Sequence, residues 1–152
     1  MMTSARTLRI DLSYKGTEFR GFAENPGVRT VGGELRQALE TVLGEEIELT
    51  VAGRTDAGVH ALGQVVSFQT TNEGVDPDLL RDSLNGMCSS DLRVQAVTLA
   101  EADFNARFSA SKRTYHYNIL NSPTADPLHA DVEWHIGPPL DVDAMNDAAS
   151  RF

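Results

Sequence analysis

Apolar side chains recur at every second position from Leu8 to Tyr14, then at every third or fourth from Val31 to Val42, and this change of period is what most limits the folds open to the chain. The first pattern, RTLRIDLSY from Arg6 to Tyr14, puts Leu8, Ile10, Leu12 and Tyr14 on one side of an extended backbone, as in a half-buried strand. The second places Val31, Leu35, Leu39 and Val42 along one side of a helix that Thr30 can cap and Gly44 can end. Lys15 to Arg29, with Gly16, Gly21, Pro26 and Gly27, reads as a loop between them. Further strands are expected over Ile47 to Ala52, Gln64 to Thr70, and Leu92 to Leu99, the last with Val94 and Val97 in the core. Asp76-Pro77 is a strong helix start, with Leu79, Leu80, Leu84 and Met87 as the apolar face. Thr114 to Leu120 reads as a strand with Tyr115, Tyr117 and Ile119 on one side. A looser, proline-containing region follows, in which Trp134 is expected in the core beside a surface His135. A last helix begins at Asp141 and runs toward Phe152, with Val142 and Met145 inward.

The order β-α-β-β-α-β-β includes strands joined by short links, so the sheet cannot be wholly parallel. The fold class expected is α+β, a mainly antiparallel sheet with helices packed on one face. With 152 residues, 41% of them hydrophobic, the chain suffices for one globular domain with a real core. No apolar stretch is long enough to span a bilayer, and Met1 to Arg6 lacks the apolar run of a secretory leader. The single cysteine, Cys88, excludes an internal disulfide and a Cys-rich zinc site, and a cytoplasmic setting is expected. The final helical pattern stops at Ser150-Arg151-Phe152 with nothing to close it, which suggests that the native chain continues.

A formal net charge of −9 argues, taken alone, against a nucleic-acid partner. Its distribution matters more. Phe104 to Leu120 (FNARFSASKRTYHYNIL) carries Arg107, Lys112 and Arg113 and no acid, and Leu49 to Asn72 carries only Arg54 and Asp56. A locally basic face on an acidic body is therefore open, as is a plain acidic domain.

Chemistry concentrates in two runs. In Ala52 to Val65 (AGRTDAGVHALGQV), Gly53 and Gly58 bracket a tight loop with Asp56 at its tip and Arg54 two residues earlier. A carboxylate beside a guanidinium stays ionised and can act as a nucleophile or general base. The plain alternative is a turn-forming Asp whose side chain bonds its own backbone. His60 is a further candidate for contact with a substrate, against the alternative of a loop histidine bonded to backbone. The second run, Phe104 to Tyr117, interleaves Phe104, Phe108, Tyr115 and Tyr117 with Arg107, Lys112 and Arg113. Aromatic faces stack on bases and cations hold phosphates, so the run suits a single-stranded or flipped-base site. Alternatively, Tyr115 and Tyr117 are core residues of an ordinary strand. The four histidines show no zinc-binding spacing, no nucleophile elbow is present, and Gly32-Gly33 lacks the lysine of a phosphate-binding loop.

Residues 52–68, AGRTDAGVHALGQVVSF, closely resemble the signature of the TruA pseudouridine synthases. Three more segments agree in order and spacing. Thr30 to Leu39 is similar to the family's T-V-Q-x-E-L helix, Phe104 to Tyr117 to its A-R-F-S-A-x-x-R-T-Y-x-Y element, and Trp134 to Ala149 to its W-H…P-L-D-x-x-x-M-x-x-A-A stretch. The likeness covers essentially all of residues 1–152 but only the N-terminal part of a family member, with the C-terminal half absent. It implies conversion of uridine to pseudouridine in the anticodon arm of tRNA, near positions 38–40, with no cofactor and no catalytic metal, by a homodimer whose cleft binds RNA. It also implies that Asp56 is the catalytic residue. Arg54 would pair with it and help hold the flipped nucleotide, while Tyr115 would stack on the base and could take the C5 proton. Arg107, Lys112, Arg113 and His60 are then the candidate RNA contacts. Gly21-Phe22-Ala23 departs from the family's G-W-Q, and Gly32-Gly33 stands where a Gln is common. These changes leave open a catalytically idle RNA-binding module that retains the fold.

Overall fold

The strand β1 (Arg6–Tyr14) is hydrogen-bonded along both edges and organises the first of two units into which the chain divides, the unit ending at Arg113. This is a computed structural model that describes residues 5–152; Met1 to Ser4, part of the stretch read above for a secretory leader, lie outside the described residues. Along the chain β1 is followed by a short 3-10 helix at Gly16–Glu18, inside the segment expected to be loop. Then come helix α1 (Val31–Leu43), strands β2 (Thr50–Val51) and β3 (Ala61–Thr70), helix α2 (Pro77–Met87) and strand β4 (Leu92–Leu99). The sheet order is β2-β3-β1-β4 and every pairing is antiparallel. The register Leu8↔Phe68, Ile10↔Val66 and Leu8↔Leu99, Ile10↔Val97 sets matching faces of the three long strands side by side.

The alternation in β1 sends Leu8, Ile10, Leu12 and Tyr14 into one core with Val66, Phe68, Val94 and Val97, and the same core takes Val31, Leu35 and Leu39 of α1 and Leu80 and Leu84 of α2. Both helices therefore cover one face of an antiparallel sheet, the expected α+β arrangement. Their ends follow from local chemistry. The Thr30 side chain accepts from Gly33 N, Gly44 adopts the left-handed conformation at φ 70°, and the Asp76 carboxylate accepts from Asp78 N and Leu79 N. The opposite face is polar: Arg9 and Asp11 pair at 2.6 Å. It is crossed by the segment after β4, where Thr7 Oγ1 donates to Ala102 O at 3.2 Å and the amide of buried Ala106 donates to Ser67 Oγ at 2.9 Å. Cys88, just past α2, is buried, and burial together with Glu34 pushes its thiol up to about 11, so it is no nucleophile at neutral pH.

Several residues expected inward are exposed. Val42, Leu79 and Met87 lie outside the core, because the buried stripe of each helix is narrower than its apolar composition. The strand expected over Ile47 to Ala52 contracts to Thr50–Val51, which stand in register with Ser67 and Val66 of β3.

The second unit, Thr114–Phe152, holds strands β5 (Ile119–Asn121) and β6 (Trp134–Ile136), paired in parallel, and helix α3 (Val142–Ala149). Asn121 ties the unit together: its Nδ2 donates to Ile136 O and Pro138 O, and its Oδ1 accepts from Leu140 N. The strand expected from Thr114 begins only at Ile119, so Tyr115 and Tyr117 precede it and are exposed. Trp134 sits on a strand, not in a core, and is 65% exposed. Val142 and Met145 of α3 are likewise exposed. Among the described residues no helix is long and apolar enough to cross a membrane.

The contrast on α2 is measurable. Leu84→Ala removes a side chain that is 0% exposed and should lower the unfolding free energy by about 2–5 kcal/mol, whereas Leu79→Ala, at a position 66% exposed, should change it by about 0.5 kcal/mol or less; urea unfolding of the two variants checks both.

Candidate functional site

The loop from Ala52 to His60, between β2 and β3, is pinned on both sides through its backbone. At its start, Ala52 N donates to Val65 O at 2.9 Å, and Gln64 Nε2 donates to Gly53 O at 2.6 Å. Thr55 is held twice: its carbonyl accepts from Phe22 N at 3.0 Å, and its hydroxyl lies 2.7 Å from the Tyr14 hydroxyl. Gly58 N donates to Phe19 O at 3.2 Å, and Val59 N closes the turn on Asp56 O at 3.1 Å. His60 Nδ1 accepts from Gly16 N at 2.8 Å. The Gly16–Phe22 segment, which follows β1 directly, is thus the loop's second wall. Two glycines let it approach. A Cβ on Gly16 would run into Val59 O, and Gly21, at φ +88°, would place a Cβ 2.9 Å from Thr55 O.

What this pinning leaves outward is Arg54 and Asp56. Both are exposed, with half-buried Thr55 between them. Among the described residues neither side chain makes a hydrogen bond or an ion pair. Asp56 is therefore not the turn-former of the plain alternative, since its carboxylate does not fold back on its own backbone. The expected Arg54–Asp56 ion pair is also not formed, because the pinned backbone sends both side chains to solvent, where two exposed charges gain little from pairing. His60 is spent inside the protein: its Nδ1 is an acceptor for backbone, as in the alternative weighed for it.

The second motif comes to the same place within the first unit. Asn105 Oδ1 accepts from Arg107 N and Phe108 N at 3.0 and 3.1 Å, locking a turn that exposes both side chains, with the Arg107 guanidinium 5.5 Å from the Phe108 ring centre. Arg113 then joins the two motifs: Nε donates to Ala52 O at 2.8 Å and Nη2 to Arg107 O at 3.2 Å. An open cleft of about 800 Å³ results, its lining including Arg54, Arg107 and Arg113 together with Phe22, Ala23 and Gly32. None of those three arginines has an acidic partner among the described residues. Arg36, also on the wall, is different: bonds to Glu24 and Glu40 raise its pKa and neutralise it locally. Glu48 is the wall's remaining acid. Lys112 is exposed and makes no hydrogen bond or ion pair among the described residues. Tyr115 belongs to the second unit, where it is 67% exposed and outside any strand. Among the described residues no three His, Cys, Asp or Glu side chains gather as a metal site.

The profile of the tRNA pseudouridine synthase family matches residues 12–109, which span β1's end, the Asp56 loop and the Arg107 turn. The chain belongs to this family. Proteins named tRNA pseudouridine synthase A from Streptomyces avermitilis, Dictyoglomus thermophilum and Brevibacillus brevis are 51%, 42% and 42% identical to it, each over 95% of the chain. It spans 53% to 59% of the length of these relatives.

In this family member, the two departures from the usual pattern meet in one contact. Phe22 is buried against Tyr14, ring centres 6.3 Å apart, so it is a core aromatic and not an exposed contact. Gly32 N donates to Phe22 O at 2.8 Å, and a Cβ on Gly32 would lie 2.7 Å from that oxygen and 3.2 Å from the Phe22 ring. The Gly32 and Gly33 amides at this helix start are thus occupied within the fold, Gly33 N by Thr30 Oγ1 at 3.1 Å. Sequence reasoning missed Tyr14, Thr55 and Gln64 as parts of the site; a Gln in alternation with Val66 and Phe68 on β3 is the signal that could have found them.

Because Gly16 meets the loop through backbone, Gly16→Ala should force the 58–60 segment away. The expected result is a loss of about 1–3 kcal/mol in stability with accelerated amide exchange at Gly58 and Val59; unchanged exchange there would contradict the close approach.

Proposed function

We propose that this chain is the Asp-bearing part of an enzyme that isomerises uridine to pseudouridine in tRNA, with Asp56 acting on the ribose of an extruded uridine. The observation that supports it is the Asp56 carboxylate, exposed on a loop whose backbone is held from both sides and without an internal partner. A carboxylate so placed is available to a substrate without first breaking a bond of its own, and the rigid loop limits the reorganisation needed to reach it.

The reaction conserves atoms. The N1–C1′ bond breaks, the uracil turns, a C5–C1′ bond forms, and the C5 proton is replaced by one on N1. Neither an oxidant nor water is consumed. An ionised Asp56 can open the sequence by adding to C1′ or by taking the C2′ proton, and both begin from the same placement. A paired uridine must first leave its stack, at a cost of a few kcal/mol. Arg54 would hold the extruded nucleotide, and its charge would pair with Asp56 once water is displaced. Arg107, Arg113 and Lys112 supply cations for the phosphates on either side, which answers how a chain of net charge −9 can bind RNA. Tyr115 is assigned to stack on the target base and to take the C5 proton. The finer reading, from the family resemblance, puts the target in the anticodon stem-loop near positions 38–40, the acting form as a homodimer and the setting as cytoplasmic.

Incubating the full-length protein with unmodified tRNA and scoring pseudouridine tests this. Asp56→Asn should lower turnover about 100- to 10,000-fold while tRNA is still retained, and turnover equal to wild type would refute the role of Asp56. Arg107→Ala and Arg113→Ala should each weaken tRNA binding and reduce the slope of log affinity against log salt by about 1, read from filter retention between low and moderate salt.

A further inference from the structure

On the helix-covered face of the sheet, Thr70 at one end of β3 bonds Glu45, and toward the other end Tyr14 and Gln64 stand opposite the end of the Asp56 loop. Both are nearly sealed from water, at 4% and 7% exposure. Their hydrogen bonds run in a definite direction. Gly53 O can only accept, so the Gln64 atom 2.6 Å from it is the amide nitrogen. The same nitrogen donates its other hydrogen to the Tyr14 hydroxyl oxygen at 3.2 Å. The Tyr14 proton is then left for Thr55 Oγ1, at 2.7 Å. Gln64 Oε1 accepts from Val65 N at 3.2 Å, and no buried side-chain polar atom among the described residues lacks a partner. The chain Gln64 to Tyr14 to Thr55, with Gln64 also on Gly53, thus grips the loop at the residues on either side of Arg54, one of which directly precedes Asp56.

Packing alone does not ask for these side chains. Leu8, Ile10, Leu12, Val66 and Phe68 fill the same face, and an apolar pair would bury as well without the desolvation of two polar groups. The two polar groups meet only each other, Val65 N and the loop. We infer that Tyr14 and Gln64 are positioning residues for the reaction: from inside the core they set the angle at which the 53–56 backbone presents Arg54 and Asp56. This rests on the reading of Asp56 given above. A shift of about 1 Å at reacting atoms can cost about 100-fold in rate with little change in binding, and that is the signature to expect.

The test is kinetic, with the full-length protein and unmodified tRNA. Tyr14→Phe removes one hydroxyl and keeps the ring, and Thr55→Val removes its partner hydroxyl at nearly constant volume. Each should lower kcat about 10- to 100-fold with KM within about twofold of wild type and with the melting temperature little changed. The double variant should be no slower than the slower single one, since both delete the same bond, and Thr55→Ser should restore the rate. Gln64→Glu, which sets a carboxylate against Gly53 O, should show the same split between kcat and KM. A kcat for Tyr14→Phe within twofold of wild type overturns the proposal, as do rate losses for the two singles that multiply in the double. Asp56→Asn in parallel separates the levels of failure. If it is inactive while Tyr14→Phe is unaffected, only the positioning role is wrong; if it is fully active, the assignment of Asp56 falls first.

Discussion

The antiparallel ladder that β1 forms with β3 and β4 is the constraint on which the rest depends. A strand bonded on both edges has no freedom left in its register, and a slip of one residue would turn Leu8, Ile10, Leu12 and Tyr14 out of the core together. Holding that register also fixes where β1 ends. The chain leaves β1 at Tyr14 and turns at once through Gly16–Glu18, so the Gly16–Phe22 segment falls beside the loop that leads into β3. The loop carrying Asp56 is therefore placed by sheet geometry and only trimmed by local bonds.

Those local bonds divide labour between alternate residues. Gly53 and Thr55 face the protein and are held by Gln64, Tyr14 and the Phe22 amide; Arg54 and Asp56 face outward. A site built this way combines a rigid main chain with reactive groups that are unspent inside the fold. The cleft beside it repeats the scheme: Arg113 uses its guanidinium to tie Ala52 to the Arg107 turn, so the cleft wall is itself braced by one of its own cations. Arg36 and Glu24 on the same wall cancel each other, which leaves the local positive charge to Arg54, Arg107 and Arg113 despite an acidic chain.

The departures at Phe22 and Gly32 gain a physical reading from the same geometry. With the Phe22 carbonyl bonded to Gly32 N, any side chain at position 32 meets backbone, and backbone cannot yield as a flexible side chain can. Family membership by the match over residues 12–109 and this buried contact are thus compatible: the helix start adapts to its neighbour, and the loop bearing Asp56 is untouched.

What the sequence by itself determined was whatever depends on local periodicity and short-range chemistry. The bounds of β1 and β4, the caps Thr30 and Asp76, the glycine end of α1 and the Gly-bracketed loop with Asp56 at its tip were all legible, because alternation, capping and turn preference act over a few residues. Tertiary structure alone decided which apolar residues are buried, since Leu79, Val42 and Trp134 carry the right chemistry but remain exposed. It also decided that Tyr115 precedes its strand, that Arg54 and Asp56 stand apart, and that Tyr14 and Gln64, fifty residues apart in the chain, share a hydrogen bond. Such contacts arise only when the register brings distant segments together, and no local pattern encodes that distance.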